Sequence, residues 1–206
     1  IGYKNLMKLT TIGYLEGFYY RPRIDKNLLK KYNEGLIGTS ACLAGEVTSF
    51  AAKGDYESAK KAALEHVEIF DGRFYLELQN HGIPEEDQAR SILIKLSKEL
   101  NIPLVATNDN HYSIRGHSDA HDILFCCGMG KFKSDKDRHR YEHEQFYIKT
   151  TDEMYSLFKD TPQAIENTVK IGEMCDVDIP IGDLHLPSFP LPDTDKDGTP
   201  DDYLKR

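Results

Sequence analysis

The chain has 206 residues, 39% hydrophobic and 29% charged, which is enough for one sizeable core. Its 34 acidic and 26 basic side chains leave a net charge of −8, which argues against a general binder of phosphate backbones. No apolar run approaches the roughly 20 residues of a membrane-spanning helix, and the four cysteines form no CxxC pair. A disulfide framework, a zinc ribbon and a thioredoxin-type site are therefore not expected, and a cytoplasmic protein with reduced thiols and no membrane contact is.

Tyr3, Leu6, Met7 and Thr10 recur at helical spacing and predict an amphipathic helix over 2–11. Asp25 is placed to cap a short helix over 26–33, which Asn33 and Gly35 end. Residues 35–40 (GLIGTS) read as a short buried strand running out at Ala41-Cys42-Leu43. Ala59, Ala62, Ala63, Val67 and Phe70 mark a helix over 55–70, and the alternation of FYLELQ marks a strand over 74–79. Pro84 followed by Glu85, Glu86 and Asp87 opens a helix over 84–100. PLVAT at 103–107 reads as another buried strand, with a helix after it that ends near residue 128. Residues 135–144 suit a charged loop, 145–149 a strand, and 151–159 and 162–174 two further helices.

Helices between successive short strands imply βαβ units and an α/β fold with a mainly parallel sheet. Beyond Pro180 the chain is proline-rich and acidic, as in an extended segment or linker. The expected organisation is a domain over 1–179 and a connecting segment over 180–206. The chain opens within a helix-like stretch and stops without a cap at 201–206, so a fragment of a longer protein is expected.

In parallel α/β architectures, functional groups sit just past the carboxyl ends of strands. Three such exits carry unusual chemistry: Ser40 to Val47 with Cys42, Gln79 to Gly82 with His81, and Thr107 to Tyr112 with Asp109 and His111. Side chains at i and i+2 of an extended chain share one side, so Asp109 and His111 can reach one divalent ion or two adjacent ones. A Cys42 thiolate beside them favours zinc or iron over magnesium. Each has a plainer reading: Asp109 as a turn cap, Cys42 as a small buried hydrophobe, and His81 as a turn residue bonding its own loop.

His121, one turn from His117, either faces the rim as a support for the donors or is buried against the sheet. Burial is the simpler expectation. His139 and His143 fit an exposed charged loop, and Cys126-Cys127 fits the core. Asp193-x-Asp195-x-Asp197-Gly198 imitates half of a calcium loop, but Pro200 interrupts it and Leu204 occupies position twelve, so it reads as a solvated acidic linker.

Taken together, SACLAGEV, FYLELQNHG, TNDNHY and PIGDLHLPSFPLP, with the opening GYKNLMKLT, resemble the polymerase-and-histidinol-phosphatase (PHP) domain of the alpha subunit of bacterial DNA polymerase III. The resemblance implies the carboxyl-terminal two-thirds of a distorted seven-stranded βα (TIM-like) barrel, truncated at its amino end. It implies a three-ion cluster of zinc, manganese or iron, to which this chain gives Cys42, Asp109 and His111. The other ligands, an amino-terminal His-x-His among them, would lie upstream of Ile1. His81 matches no family ligand and stays, with His121, a candidate support.

Members with a full ligand set imply a metal-dependent phosphoesterase acting as a 3′–5′ proofreading exonuclease. Others imply a scaffold that docks a separate exonuclease subunit. A stand-alone PHP phosphatase is a further alternative. The parent would be a cytoplasmic DNA-directed DNA polymerase needing magnesium, with DNA, other replicase subunits and a sliding clamp as partners.

Overall fold

A computed structural model describes residues 1–141, 143–184, 186–188, 190–192 and 199–205. Helix α1 (Gly2–Leu15) runs one turn further than the apolar spacing alone suggests. Helix α2 (Lys26–Lys31) begins at Asp25, whose carboxylate accepts a hydrogen bond from the Leu28 amide at 2.8 Å. Strand β1 (Gly38–Thr39) is short. Gly38 is required there, because a Cβ at that position would meet the Phe70 ring at 2.5 Å.

Two helices follow: α3 (Glu46–Ala52) and α4 (Tyr56–Phe70). Asp55 caps α4 through the Ser58 amide, and Ala59, Ala62, Ala63, Ile69 and Phe70 form its buried face. Strand β2 (Phe74–Leu78) leads into α5 (Pro84–Leu100), which starts on proline and three acidic residues and buries Glu86, Ala89, Leu93 and Leu96. Strand β3 (Leu104–Ala106), helix α6 (Ser118–Met129), α7 (Thr151–Leu157) and α8 (Pro162–Met174) complete the unit Ile1–Cys175.

The sheet has the order β1-β2-β3, parallel throughout, in the register Gly38↔Phe74 and Thr39↔Tyr75, then Leu76↔Leu104, Glu77↔Val105 and Leu78↔Ala106. Leu76 and Leu78 are fully buried in the central strand and pack with Leu93, Leu96, Val47 and Ala63. Central parallel strands are covered on both faces, which is why FYLEL buries almost every residue despite its alternation.

The α/β class and the parallel sheet are as expected, but a seven-stranded barrel is not formed among the described residues. The strand expected over 145–149 contributes only an isolated parallel bridge, Tyr112↔Tyr147. Its Gln145 and Tyr147 carbonyls accept instead from the Asn108 side chain, at 3.1 and 2.7 Å, so they are spent on a side chain and not on a ladder. The outer side of β3 is likewise engaged, since Asn167 donates to the Leu104 carbonyl at 2.8 Å.

The second unit, Asp176–Arg206, carries no helix or strand among its described residues before α9 (Pro200–Leu204). Helix α9 is capped at its start, where the Thr199 hydroxyl accepts from the Asp202 amide at 3.2 Å. The Asp193–Gly198 run lies outside the described residues. Among the described residues no helix is long and apolar enough to cross a membrane.

Candidate metal-donor face at the strand ends

A belt of polar side chains ties the carboxyl ends of the three strands together. Glu77 of β2 accepts from the Thr39 hydroxyl of β1 at 2.7 Å, from Thr107 just past β3 at 2.5 Å, and from Gln79 at 3.0 Å. Nothing in the alternation of FYLELQ distinguished Glu77, although a carboxylate in an otherwise buried strand is a signal in itself.

The first exit is a tight turn. Ser40 is buried; its Oγ accepts from the Glu77 amide at 2.8 Å, and its carbonyl accepts from the Thr48 hydroxyl at 3.1 Å. Ala41 has a left-handed backbone, φ +59°, which costs an alanine about 1 kcal/mol or more. Gly45 closes the turn against Ser40, where a Cβ would lie 2.1 Å from the Ser40 carbonyl oxygen. Cys42 is thereby presented half-buried at the end of β1, as a free thiol and not as a core residue.

The third exit is pinned from both sides. Asp109 is also left-handed, φ +40°. The amide of His111 donates to the Phe146 carbonyl at 2.8 Å. The Nε2 of His111 stands 3.6 Å from Asp109 Oδ1, with both side chains partly exposed. Tyr141, from the loop expected to be merely charged, brings its hydroxyl to 3.2 Å from the same Nε2. Burial raises the Tyr141 phenol above its ordinary value, and the negative charges of Asp109 and then Cys42 raise it further. Asp109 and His111 thus stand side by side past the end of β3, and Cys42 lies past the end of β1.

His121 is not buried against the sheet as expected. It is half-buried among rings, 5.7 Å from His111, 5.3 Å from Phe125 and 5.4 Å from both Tyr112 and Tyr141 between centroids. Burial lowers its basicity, His111 lowers it further, and Asp122 opposes both. His139 also joins these rings, 5.5 Å from Phe125, whereas His117 stays exposed in a 3-10 turn (Arg115–His117) ahead of α6. Of the cysteine pair in α6, Cys126 is buried and Cys127 exposed.

Beside the rings lies a cavity of about 300 Å³, lined in part by His121, Asp122, Phe125, Arg138, Arg140 and Tyr141. Arg138 grips Asp122 through two bonds of 2.5 and 2.7 Å, which hold that carboxyl below its ordinary range.

His81 is fully buried and is more than a turn residue. Its Nδ1 lies 2.6 Å from Glu86 Oε1, its Nε2 2.9 Å from the Asn108 carbonyl, and its ring stacks on Phe146 at 4.1 Å. It does not touch an Asp109 or His111 side chain through either ring nitrogen.

As donors, a carboxylate, an imidazole and a thiol suit a borderline divalent ion. Among the described residues, however, no three His, Cys, Asp or Glu side chains are grouped closely enough to hold one. Asp109 and His111 supply a pair, and a closed site needs further donors.

Residues 1–81 match the PHP domain family. The chain is 52% identical over 176 residues to DNA polymerase III subunit alpha of Borreliella burgdorferi, across 85% of this chain and 15% of that protein. It is 44% identical over 200 residues to the Campylobacter jejuni subunit, across 92% and 17%, and 38% identical over 198 residues to that of Thermus aquaticus, across 93% and 16%. The chain therefore spans about one-sixth of the length of the curated relatives it matches.

Proposed function

Because this chain is homologous to the PHP region of DNA polymerase III subunit alpha, we propose that it is part of such a subunit in a cytoplasmic bacterial replicase. Cys42, Asp109 and His111 are its share of a metal-dependent phosphoesterase centre that removes nucleotides from the 3′ end of nascent DNA. The observation supporting this reading is the Asp109–His111 contact of 3.6 Å just past the end of β3.

The chain's own residues divide the work. Asp109 offers a hard oxygen, His111 a neutral imidazole nitrogen, and Cys42 a thiolate. Tyr141 orients His111, and Glu77 keeps the three strand ends in register. Bound zinc, manganese or iron would polarise the phosphodiester and make hydroxide available near neutrality. The remaining donors would come from the longer protein, as would the magnesium-dependent nucleotidyl transfer and the contacts with DNA, a sliding clamp and other subunits.

A second reading is a scaffold that docks a separate exonuclease and needs no closed metal site. Metal content and 3′–5′ exonuclease activity of the full-length protein, wild type against Asp109→Asn, separate the two. Bound ions and primer digestion that are both lost in the variant uphold the catalytic reading. A metal-free wild type with activity untouched by the substitution leaves the scaffold.

A further inference from the structure

The loop that carries Asp109 and His111 holds a left-handed aspartate, so something must fix its backbone. The two ring nitrogens of His81 both face acceptors. The Asn108 carbonyl carries no hydrogen, so the one between it and Nε2, at 2.9 Å, belongs to the ring. A second hydrogen must lie in the 2.6 Å contact between Nδ1 and Glu86 Oε1. Whether written as imidazolium against carboxylate or as imidazole against carboxylic acid, the pair holds two protons and no net charge. A neutral pair is what a pocket exposing 0% of one side chain and 5% of the other tolerates. The other Glu86 oxygen accepts from the His81 amide at 2.6 Å, so the carboxyl grips ring and backbone at once.

The chain of contacts continues from there. Asn108 has its carbonyl held by His81. Its side-chain amide donates to Tyr147, Gln145 and Asn110, and its Oδ1 accepts from Lys149 at 2.8 Å. His81 thus links the start of α5 to the residue immediately before Asp109. We propose that His81, clamped by Glu86, is a positioning residue that sets the backbone of the Asp109–His111 loop and thereby the spacing of its two donors. The metal arm of the following test rests on the proposed centre; the exchange arm does not.

The experiment takes the full-length protein with His81→Phe, which keeps a ring against Phe146 and removes both hydrogen bonds. Glu86→Gln is compared with it, since its amide can donate to Nδ1 while its oxygen still accepts from the His81 amide. Zinc or manganese alone is titrated, and amide hydrogen exchange is followed across 107–112. The expected result for His81→Phe is metal binding weakened about 10- to 100-fold and faster exchange in the loop, with Glu86→Gln close to wild type in both. Should His81→Phe fail to fold, Glu86→Ala, which strips the ring of its clamp, carries the same expectation. If the wild type binds no metal, the proposed centre fails, and loop exchange still decides the role of His81. Unchanged exchange in a folded His81→Phe or Glu86→Ala protein overturns the proposal.

Discussion

The Tyr141 hydroxyl lies 3.2 Å from Nε2 of His111, the nitrogen that also faces Asp109 at 3.6 Å. The phenol is raised above its ordinary value by burial and then by the charges of Asp109 and Cys42. A divalent cation on those donors would reverse the second cause. Adding zinc to the protein should therefore move the Tyr141 ionisation to lower pH, read as tyrosinate absorbance with Tyr141→Phe as the subtracted blank. No displacement with zinc bound would mean that the ion sits elsewhere.

Asn108 is the most heavily bonded side chain at the donor face, and it is buried. Asn108→Ala takes the donor from the buried Tyr147 carbonyl, while the Lys149 ammonium and the Gln145 carbonyl keep each other, so a loss of about 1–3 kcal/mol is expected. Urea denaturation at equilibrium measures it. A loss under about 0.5 kcal/mol, the size typical of surface changes, would contradict the network.

Leu78 is fully buried where β2 meets both α5 and the strand ends. Leu78→Ala should cost about 2–5 kcal/mol through lost burial and the cavity left behind. The denaturation midpoint should fall with little change in slope.

Glu153 sits at the start of α7 in a capping box with Thr150, and Tyr147 donates to it at 2.5 Å. The Tyr147 bond first, then the Thr150 amide and hydroxyl, hold its carboxyl down at about 2 against an ordinary 4.5. A depressed acid contributes fully above the ordinary value and loses its contribution as pH falls through 4.5 towards 2. Wild type and Glu153→Gln should differ in melting temperature near neutrality and converge in acid. A gap that persists unchanged to the lowest pH would show that the carboxylate is not the source.

Much of the fold was legible because local rules and tertiary packing agree. Asp25 and Pro84 start the helices they were expected to start, and Ala59, Ala62 and Ala63 do face the core. Helix α3 escaped notice because seven residues give too little periodicity, although Val47 and Ala51 are spaced one turn apart. The 145–149 segment reads as a strand from composition, but the Asn108 side chain, distant in sequence, takes up its Gln145 and Tyr147 carbonyls, with Lys149 sharing the first.

At the candidate site, residue type and strand-exit position single out Cys42, Asp109, His111 and His81. Nothing local could reveal that Tyr141 folds back onto His111, or that Glu86, one of three acids in a helix start, is the one that turns inward to His81. Those pairings depend on how loops cross in space, which hydropathy does not encode.

Ala41 and Asp109, on the turns that carry the candidate donors, share a backbone conformation that glycine adopts more readily. Each is kept there by neighbours and not by its own preference, Ala41 by the Ser40–Thr48–Gly45 contacts and Asp109 by its pinned loop. On warming, such segments relax before the sheet beneath them lets go. Heat should therefore disable the donor face at temperatures where circular dichroism still reports intact helices. Thermal tolerance of any activity seated there would be set by two turns and not by the hydrophobic core.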